Sequence, residues 1–195
     1  MATVRAGGRA IRLFIAMPLT EELSATAGRA QEQLKRAAGG VKWVEPRNLH
    51  LTLKFLGETD EGRVPVIAEA MRAAVASQEP FAVHVVGIGA FPSARRPRVV
   101  WLGITEGAEA LVSIAGRLEE ALADLGFERE ERPFRSHVTL GRVSSPERAR
   151  GLTAEIELMG QVEVGRMTCE QIVLMRSELS RTGPTYTPME VASLG

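Results

Sequence analysis

The chain has a single cysteine, Cys169, among its 195 residues. One thiol cannot form a disulfide within the chain, and a metal cluster held by several thiolates is excluded for the same reason. Proteins of oxidising compartments commonly carry disulfides, so this cysteine usage predicts an intracellular protein, and we expect a cytoplasmic one.

An excess of either charge is also missing, since 24 Lys and Arg residues balance 24 Asp and Glu residues. Proteins that coat a nucleic-acid backbone usually carry a basic excess, because the release of counterions drives that binding. A nucleic-acid substrate would therefore be held locally, at one end of a strand or as a small fragment.

Long apolar runs are absent as well, and no stretch approaches the ~20 residues that a membrane-spanning helix needs. We therefore expect no membrane partner. Arg12 interrupts the first apolar stretch and no small-residue cleavage site follows it, which argues against a signal peptide. Residues 1–10 are predicted to be a disordered extension, and residues 11–195 a single domain with two lobes.

What the sequence does contain is one arrangement of strands and helices that occurs twice. Apolar alternation and helical spacing predict, in the first half, a strand at 11–17, a helix at 21–38, strands at 41–44 and 49–56, and a helix at 61–76. The second half repeats this order with strands at 81–91 and 98–104, a helix at 107–125 and a strand at 137–143. A short helix capped by Ser145 and strands near 166–176 and 184–191 complete the chain. A duplication explains this order, and two unrelated units of similar length are the alternative.

The strongest signal is the pattern His-x-Thr-Leu, which begins at two of the three histidines, His50 and His137. Residues i and i+2 of a strand point to the same face. His50 therefore projects with Thr52, and His137 with Thr139. The same alternation predicts that Leu49, Leu51, Leu53 and Phe55 face the core and that Lys54 shares the face of His50.

Two imidazoles and two hydroxyls across one cleft suit phosphoryl transfer. In-line displacement at phosphorus needs a base on the attacking water and an acid on the leaving oxygen, and two histidines can take these roles near neutral pH. Threonine hydroxyls can donate to the non-bridging oxygens. The alternatives are metal-ligand histidines or hydrogen-bonded core histidines. Metal sites usually add carboxylates, and neither strand has one within a few residues of its histidine, so we expect no metal and no cofactor.

Nearly the whole chain after residue 10 resembles the two-histidine (2H) phosphoesterases, specifically the RNA 2′,3′-cyclic phosphodiesterases, also called bacterial 2′-5′ RNA ligases. The resemblance rests on RLFIAMPL at 12–19, WVEPRNLHLTLKFLGE at 43–58, GIGAFPSARRPRVVWLGI at 87–104 and GFEREERPFRSHVTLGR at 126–142. It implies an α+β, bilobal fold in which two antiparallel sheets flank a central cleft and the helices lie outside. It also implies hydrolysis of a terminal 2′,3′-cyclic phosphate to a 2′-phosphate, with 2′-5′ ligation in some members.

The resemblance assigns roles to individual residues. His50 and His137 match the two histidines of the HxTx motifs, as general acid and general base respectively, and Thr52 and Thr139 match the phosphate-binding threonines. Arg142 matches a basic phosphate-binding residue, although strict alternation places it on the face opposite His137, so a bulge would have to re-aim it. Ser136 departs from the proline that usually precedes the second histidine.

The partner is expected to be an RNA 3′ end or a small cyclic nucleotide, and the protein a monomer. Two alternatives remain: a non-catalytic RNA-end or nucleotide-binding module of the same fold, and an enzyme for another cyclic phosphate or a 2′-5′ oligonucleotide. Phe14, Trp43 and Trp101 could each stack on a base or pack in the core. His84 lacks a threonine two residues later and is interpreted as an ordinary strand histidine. The basic turn with Arg95, Arg96 and Arg98 is either solvated surface or a guide for RNA.

Overall fold

The computed structural model describes residues 8–180 and 183–195. Residues 1–7 of the predicted extension lie outside the described residues. The first strand begins at Ala10, one residue earlier than expected. Within the described residues, no helix is long and apolar enough to cross a membrane.

The described residues form nine strands and four α-helices. The strands are β1 (Ala10–Pro18), β2 (Val41–Trp43), β3 (His50–Asp60), β4 (Phe81–Phe91), β5 (Val99–Ile104), β6 (His137–Val143), β7 (Glu163–Cys169), β8 (Gln171–Ser180) and β9 (Gly183–Ser193). The helices are α1 (Glu21–Ala37), α2 (Val64–Val75), α3 (Ala108–Ala123) and α4 (Leu152–Leu158). Short 3₁₀ turns at Pro46–Asn48 and Glu61–Arg63 precede β3 and α2.

The strands form one antiparallel sheet with two similar halves. The order is β7-β4-β5-β6-β3-β1-β8-β9, and β2 pairs with β6 off this path. We call β3, β1, β8 and β9 the first lobe, and β7, β4, β5 and β6 with β2 the second lobe. The lobes join through a single pair, Leu51 of β3 opposite Val138 of β6. The α+β, two-lobed fold is therefore confirmed, and the two expected sheets are continuous at this one point.

The tail of the chain differs from the sequence prediction in two respects. The single strand expected at 166–176 is two strands, because β7 pairs with β4 in the second lobe whereas β8 pairs with β1 in the first. The helix expected from Ser145 begins only at Leu152, after a series of turns. One of these turns accepts a hydrogen bond from Gly39 at the end of α1, a tertiary contact that local spacing does not reveal.

The helices cover the lobes in a crossed arrangement. The amphipathic helix α1, capped by the Thr20 side chain, packs on β7 and α4 of the second lobe, whereas α3 packs on β3 of the first lobe and on α2. Apolar residues at helical spacing form the buried face of α1: Leu23, Ala27, Ala30 and Leu34. Each lobe is therefore completed by a helix from the other half of the sequence.

Candidate active site

The two His-x-Thr-Leu motifs meet where the lobes join. Leu51 and Val138 are fully buried and form the connecting pair. Alternation places His50 and Thr52 on the opposite face of the sheet, together with His137 and Thr139. Continuing the antiparallel register by one residue in each direction sets His50 opposite Thr139 and Thr52 opposite His137. The structure thus brings the four expected side chains onto one face.

Both imidazoles are held in the same way by the backbone. The His50 Nδ1–H donates to the carbonyl oxygen of Asn48 at 2.7 Å, and the His137 Nδ1–H donates to that of Arg135 at 2.7 Å. A carbonyl can only accept, so Nδ1 carries the proton and each neutral ring keeps an unprotonated Nε2. Either Nε2 can therefore accept a proton from water, or donate one once the ring is charged.

The charge states of the two histidines are set by their surroundings. Burial lowers the pKa of His50, and the hydrogen bond to Asn48 opposes this. Burial is also the main cause that lowers the pKa of His137, and the nearby positive charge of Arg142 lowers it further. His137 therefore has a cationic neighbour that favours its neutral form, the form a general base needs.

Aromatic rings hold each histidine in place. The ring of His50 lies 4.8 Å from that of Phe14 and 5.1 Å from that of Tyr186, which it meets edge-on. The ring of His137 lies edge-on to Phe91 at 5.1 Å, and Phe91 in turn packs on Trp101 at 5.2 Å. Burial raises the pKa of Tyr186, so its hydroxyl stays protonated at neutral pH.

A bulge follows the histidine and threonine in both strands. Leu53 has no partner between Thr52 and Lys54 in the pairing with β1, and Leu140 has none between Thr139 and Gly141 in the pairing with β5. An extra residue reverses the alternation beyond it. The last leucine of each motif is therefore the extra residue, and the fifth position after each histidine returns to the histidine face.

This reversal decides where Arg142 points. Arg142 pairs with Val99, and Val99 shares a face with Trp101, the partner of Thr139. Arg142 consequently lies on the same face as His137, in keeping with the effect of its charge on the pKa values of His137 and Tyr186. The bulge that strict alternation required for Arg142 is present in β6.

In the first lobe the same reversal overturns two expectations. Phe55 does not face the core: it pairs with Phe14 on the histidine face and is 60% exposed. Lys54 does not share the face of His50: it is buried on the other side, where its Nζ donates to Glu119 and to the Glu128 carbonyl, each at 2.6 Å. Simple alternation fails at Leu53, because nothing in the local sequence marks the bulge.

The three aromatic residues considered for base stacking have different positions. Phe14 is 3% exposed beneath His50, and Trp101 is partly buried against Phe91. Trp43 pairs with Gly141 and packs on the core, on the face away from the histidines. Phe55 is an exposed aromatic residue on the histidine face, and the sequence analysis did not predict it there. The available signal was its position in the repeat, because Phe55 is the fifth residue after His50 just as Arg142 is the fifth after His137.

The remaining candidates lie outside this cluster. His84 on β4 contacts Glu163 at 2.6 Å and Thr105 at 3.2 Å. Arg95, Arg96 and Arg98 are exposed in the turn before β5. Cys169 is buried, which raises the pKa of its thiol to about 11. No group of three or more His, Cys, Asp or Glu side chains within residues 8–180 and 183–195 is arranged to hold a metal ion.

Comparison with known proteins gives one consistent family. The sequence model of the LigT-like phosphoesterases matches twice, over residues 17–101 and 102–186. An RNA 2′,3′-cyclic phosphodiesterase of Methanothermobacter thermautotrophicus is 41% identical over 184 residues, covering 94% of this chain and 99% of the relative.

Solved structures agree with this result. A crystal structure of a Thermus thermophilus protein superposes with a TM-score of 0.79 at 32% identity, covering 94% of this chain and 98% of that one. Escherichia coli LigT complexed with 3′-AMP superposes with a TM-score of 0.76 at 25% identity, covering 95% and 99%.

Proposed function

We propose, since the chain belongs to the family of LigT-like phosphoesterases, that it is an RNA 2′,3′-cyclic 3′-phosphodiesterase, a hydrolase that opens a terminal 2′,3′-cyclic phosphate to a 2′-phosphate. The observation that carries this proposal is the cluster at the junction of the lobes. Two histidines with free Nε2 atoms and two threonines share one face there.

The proposed reaction is an in-line displacement in which the two histidines transfer the protons. His137 Nε2 accepts a proton as the water oxygen attacks phosphorus, and the bond from phosphorus to the 3′-oxygen breaks on the opposite side. Protonated His50 donates its Nε2 proton to that oxygen. Exchange of protons with solvent then restores both rings.

The polar groups around the histidines support this division of roles. Thr52 and Thr139 donate to the non-bridging oxygens, and Arg142 adds a positive charge near the phosphate. The same charge favours neutral His137, so we assign His137 as base and His50 as acid. A bound phosphate anion raises the pKa of both rings, which supplies the protonated His50 that the leaving oxygen needs.

We also propose the oligomeric state, substrate and location of the enzyme, and that it needs no metal. All residues of the site come from one chain, so a monomer suffices. The proposed substrate is an RNA 3′ end or a cyclic nucleotide. We place the protein in the cytoplasm, in keeping with its single cysteine, Cys169, which is buried and free. No metal takes part in the proposed mechanism, because the side chains around the two histidines offer no metal-ligand set in the part of the chain that the structure describes.

The test is hydrolysis of a short RNA that ends in a 2′,3′-cyclic phosphate, with excess EDTA present. We expect a 2′-phosphate product, identified by chromatography against both isomers. His50→Ala and His137→Ala should each lower kcat by about 10²–10⁴-fold. His84→Ala is the matched control, because His84 lies outside the cluster. A 3′-phosphate product, activity that requires a divalent ion, or normal turnover by either variant would contradict the proposal.

A further inference from the structure

Two positive side chains stand directly opposite each other beside the site. Lys42 of β2 pairs with Arg142 of β6 in antiparallel register. Directly paired residues share a face of the sheet, and Arg142 lies on the face of His137 and Thr139. Lys42 therefore points to that face as well, and both side chains are exposed. Its neighbour Trp43 points the other way, towards the core.

This pairing is unfavourable for the free protein. Like charges that face each other across a strand pair destabilise the sheet, because they repel at about 5 Å. In the part of the chain that the structure describes, neither Lys42 nor Arg142 forms an ion pair with a carboxylate; the pairs found there involve other residues, such as Lys35 with Glu32. An anion bound between the two cations would remove the repulsion.

The position of the pair indicates which anion this is. Arg142 lies two pairing positions beyond Thr139, and Lys42 faces it from β2, which lies on the same edge of β6 as β3. Both cations therefore stand roughly 7 Å along the strands from the pair of His50 and Thr139. The reacting phosphate is already held by the histidines and threonines. Lys42 stands beyond these four side chains along the strands, where a second phosphate of the same RNA strand would pass.

We infer that Lys42, together with Arg142, binds the phosphodiester that links the terminal nucleotide to the one before it. The inference rests on the proposed function and narrows its substrate class: the enzyme distinguishes an RNA strand from a cyclic mononucleotide by this second phosphate. Binding of one phosphate by two neighbouring cations needs no excess of positive charge over the whole surface, in keeping with the balanced charge of the chain.

The experiment compares three substrates with the full chain. They are 2′,3′-cyclic AMP, a dinucleotide that ends in a 2′,3′-cyclic phosphate, and the same dinucleotide with an uncharged methylphosphonate linkage. The quantity of interest is the ratio of kcat/KM for the charged dinucleotide to that for the uncharged one. Because both substrates are measured on the same protein, a loss of folded enzyme cancels in this ratio.

We expect the wild type to favour the charged linkage by about three- to tenfold, and added salt to reduce this preference. Lys42→Gln should reduce the ratio towards one, and Lys42→Arg should keep it. Lys35→Gln, which removes an exposed lysine of α1, is the matched control and should keep the wild-type ratio. A ratio unchanged in Lys42→Gln, or equal to one in the wild type, would overturn the inference.

Binding of the two dinucleotides, measured by calorimetry on the same proteins, separates this inference from the proposed function. If the wild type hydrolyses none of the three substrates, the proposed function is wrong. The same preference for the charged linkage, and its loss in Lys42→Gln, must then appear in the dissociation constants for the inference to stand. Equal dissociation constants in that case would refute it as well.

Discussion

His50 and His137 have the same backbone anchor and the same tautomer, so their chemical difference must come from their neighbours. His50 lies among Phe14 and Tyr186, which add no charge next to the ring at neutral pH. His137 has the guanidinium of Arg142 within electrostatic reach. One cation therefore breaks the symmetry of two otherwise equivalent motifs, and it can be tested separately from the histidines.

The pH dependence of kcat/KM should be bell-shaped, with its centre on the acid side of 6.5, because burial lowers the pKa of both free histidines. In Arg142→Met a charge that lowers the pKa of His137 is lost, so this pKa rises. If His137 is the base, the acidic limb moves to higher pH and the alkaline limb stays. Movement of the alkaline limb instead would reverse the assignment of acid and base.

We expect the hydroxyls of Thr52 and Thr139 to bind the charged phosphate. Their removal should not change the stability of the fold, because both side chains face the cleft. Thr52→Ala and Thr139→Ala each remove a hydrogen bond to a charged group, worth about 1.5–3 kcal/mol, or roughly 10- to 150-fold in kcat/KM. Thr26→Ala, on α1 and outside the cleft, is the control and should retain wild-type kinetics. Normal kcat/KM in both cleft variants would exclude the hydroxyls as phosphate ligands.

At the scale of single elements, the bulges in β3 and β6 matter most. In β6 the carbonyl of Leu140 accepts hydrogen bonds from the Val44 backbone N–H at 2.8 Å and from the buried side chain of Gln31 at 2.9 Å. The next residue, Gly141, is packed so closely that an added Cβ would lie 2.8 Å from Trp43 Cε3. Gln31 and Gly141 together stabilise the bulge that points Arg142 into the site.

Gly141→Ala should therefore disturb the bulge and the position of Arg142. We expect the free energy of unfolding, measured with urea, to fall by about 1–3 kcal/mol through overpacking, and kcat/KM to fall with it. The control is Gly116→Ala in α3, where a Cβ would meet nothing within 4 Å. That change should stabilise the helix by about 0.5–1 kcal/mol. Equal stability of wild type and Gly141→Ala would show that the bulge tolerates the methyl group.

At the scale of the whole molecule, contacts between the sequence halves tie the two lobes together. Lys54, next to the first motif, binds Glu119 of α3 and the Glu128 carbonyl. Glu128 belongs to the segment that leads to His137. Arg63 donates to the Leu125 carbonyl and lies 4.4 Å above the ring of Phe127 in the same segment. The first half of the chain thus holds the loop that precedes the second motif.

We therefore expect residues 11–195 to unfold as one unit, with a single calorimetric transition. Lys54→Met leaves the partly buried Glu119 without its cation, which should cost about 2–4 kcal/mol and lower the temperature of that one transition. Lys35→Met changes an exposed lysine and serves as control, with an expected cost below about 1 kcal/mol. Two separate transitions, or a Lys54→Met protein as stable as the control, would argue against this coupling.

The sequence by itself determined most strands and helices of both halves to within about two residues, and it marked His50, Thr52, His137 and Thr139. The exceptions are β3, which continues past the predicted end to Asp60, and α2, which begins only at Val64. These features depend on local periodicity and on a repeated motif, both of which are present in the order of residues. The α+β class and the two lobes follow from the same repetition.

Only the tertiary structure decided the bulges, the pairing of the tail strands and the crossing of α1 and α3 between lobes. Alternation carries no information about an unpaired residue such as Leu53, so the faces of Lys54 and Phe55 were predicted wrongly. The split between β7 and β8 depends on which strands they meet, which local pattern does not contain. The local sequence therefore identifies the histidines and threonines of the site. The face of the sheet on which Phe55, Arg142 and Lys42 lie depends instead on pairing between strands that are distant in the sequence.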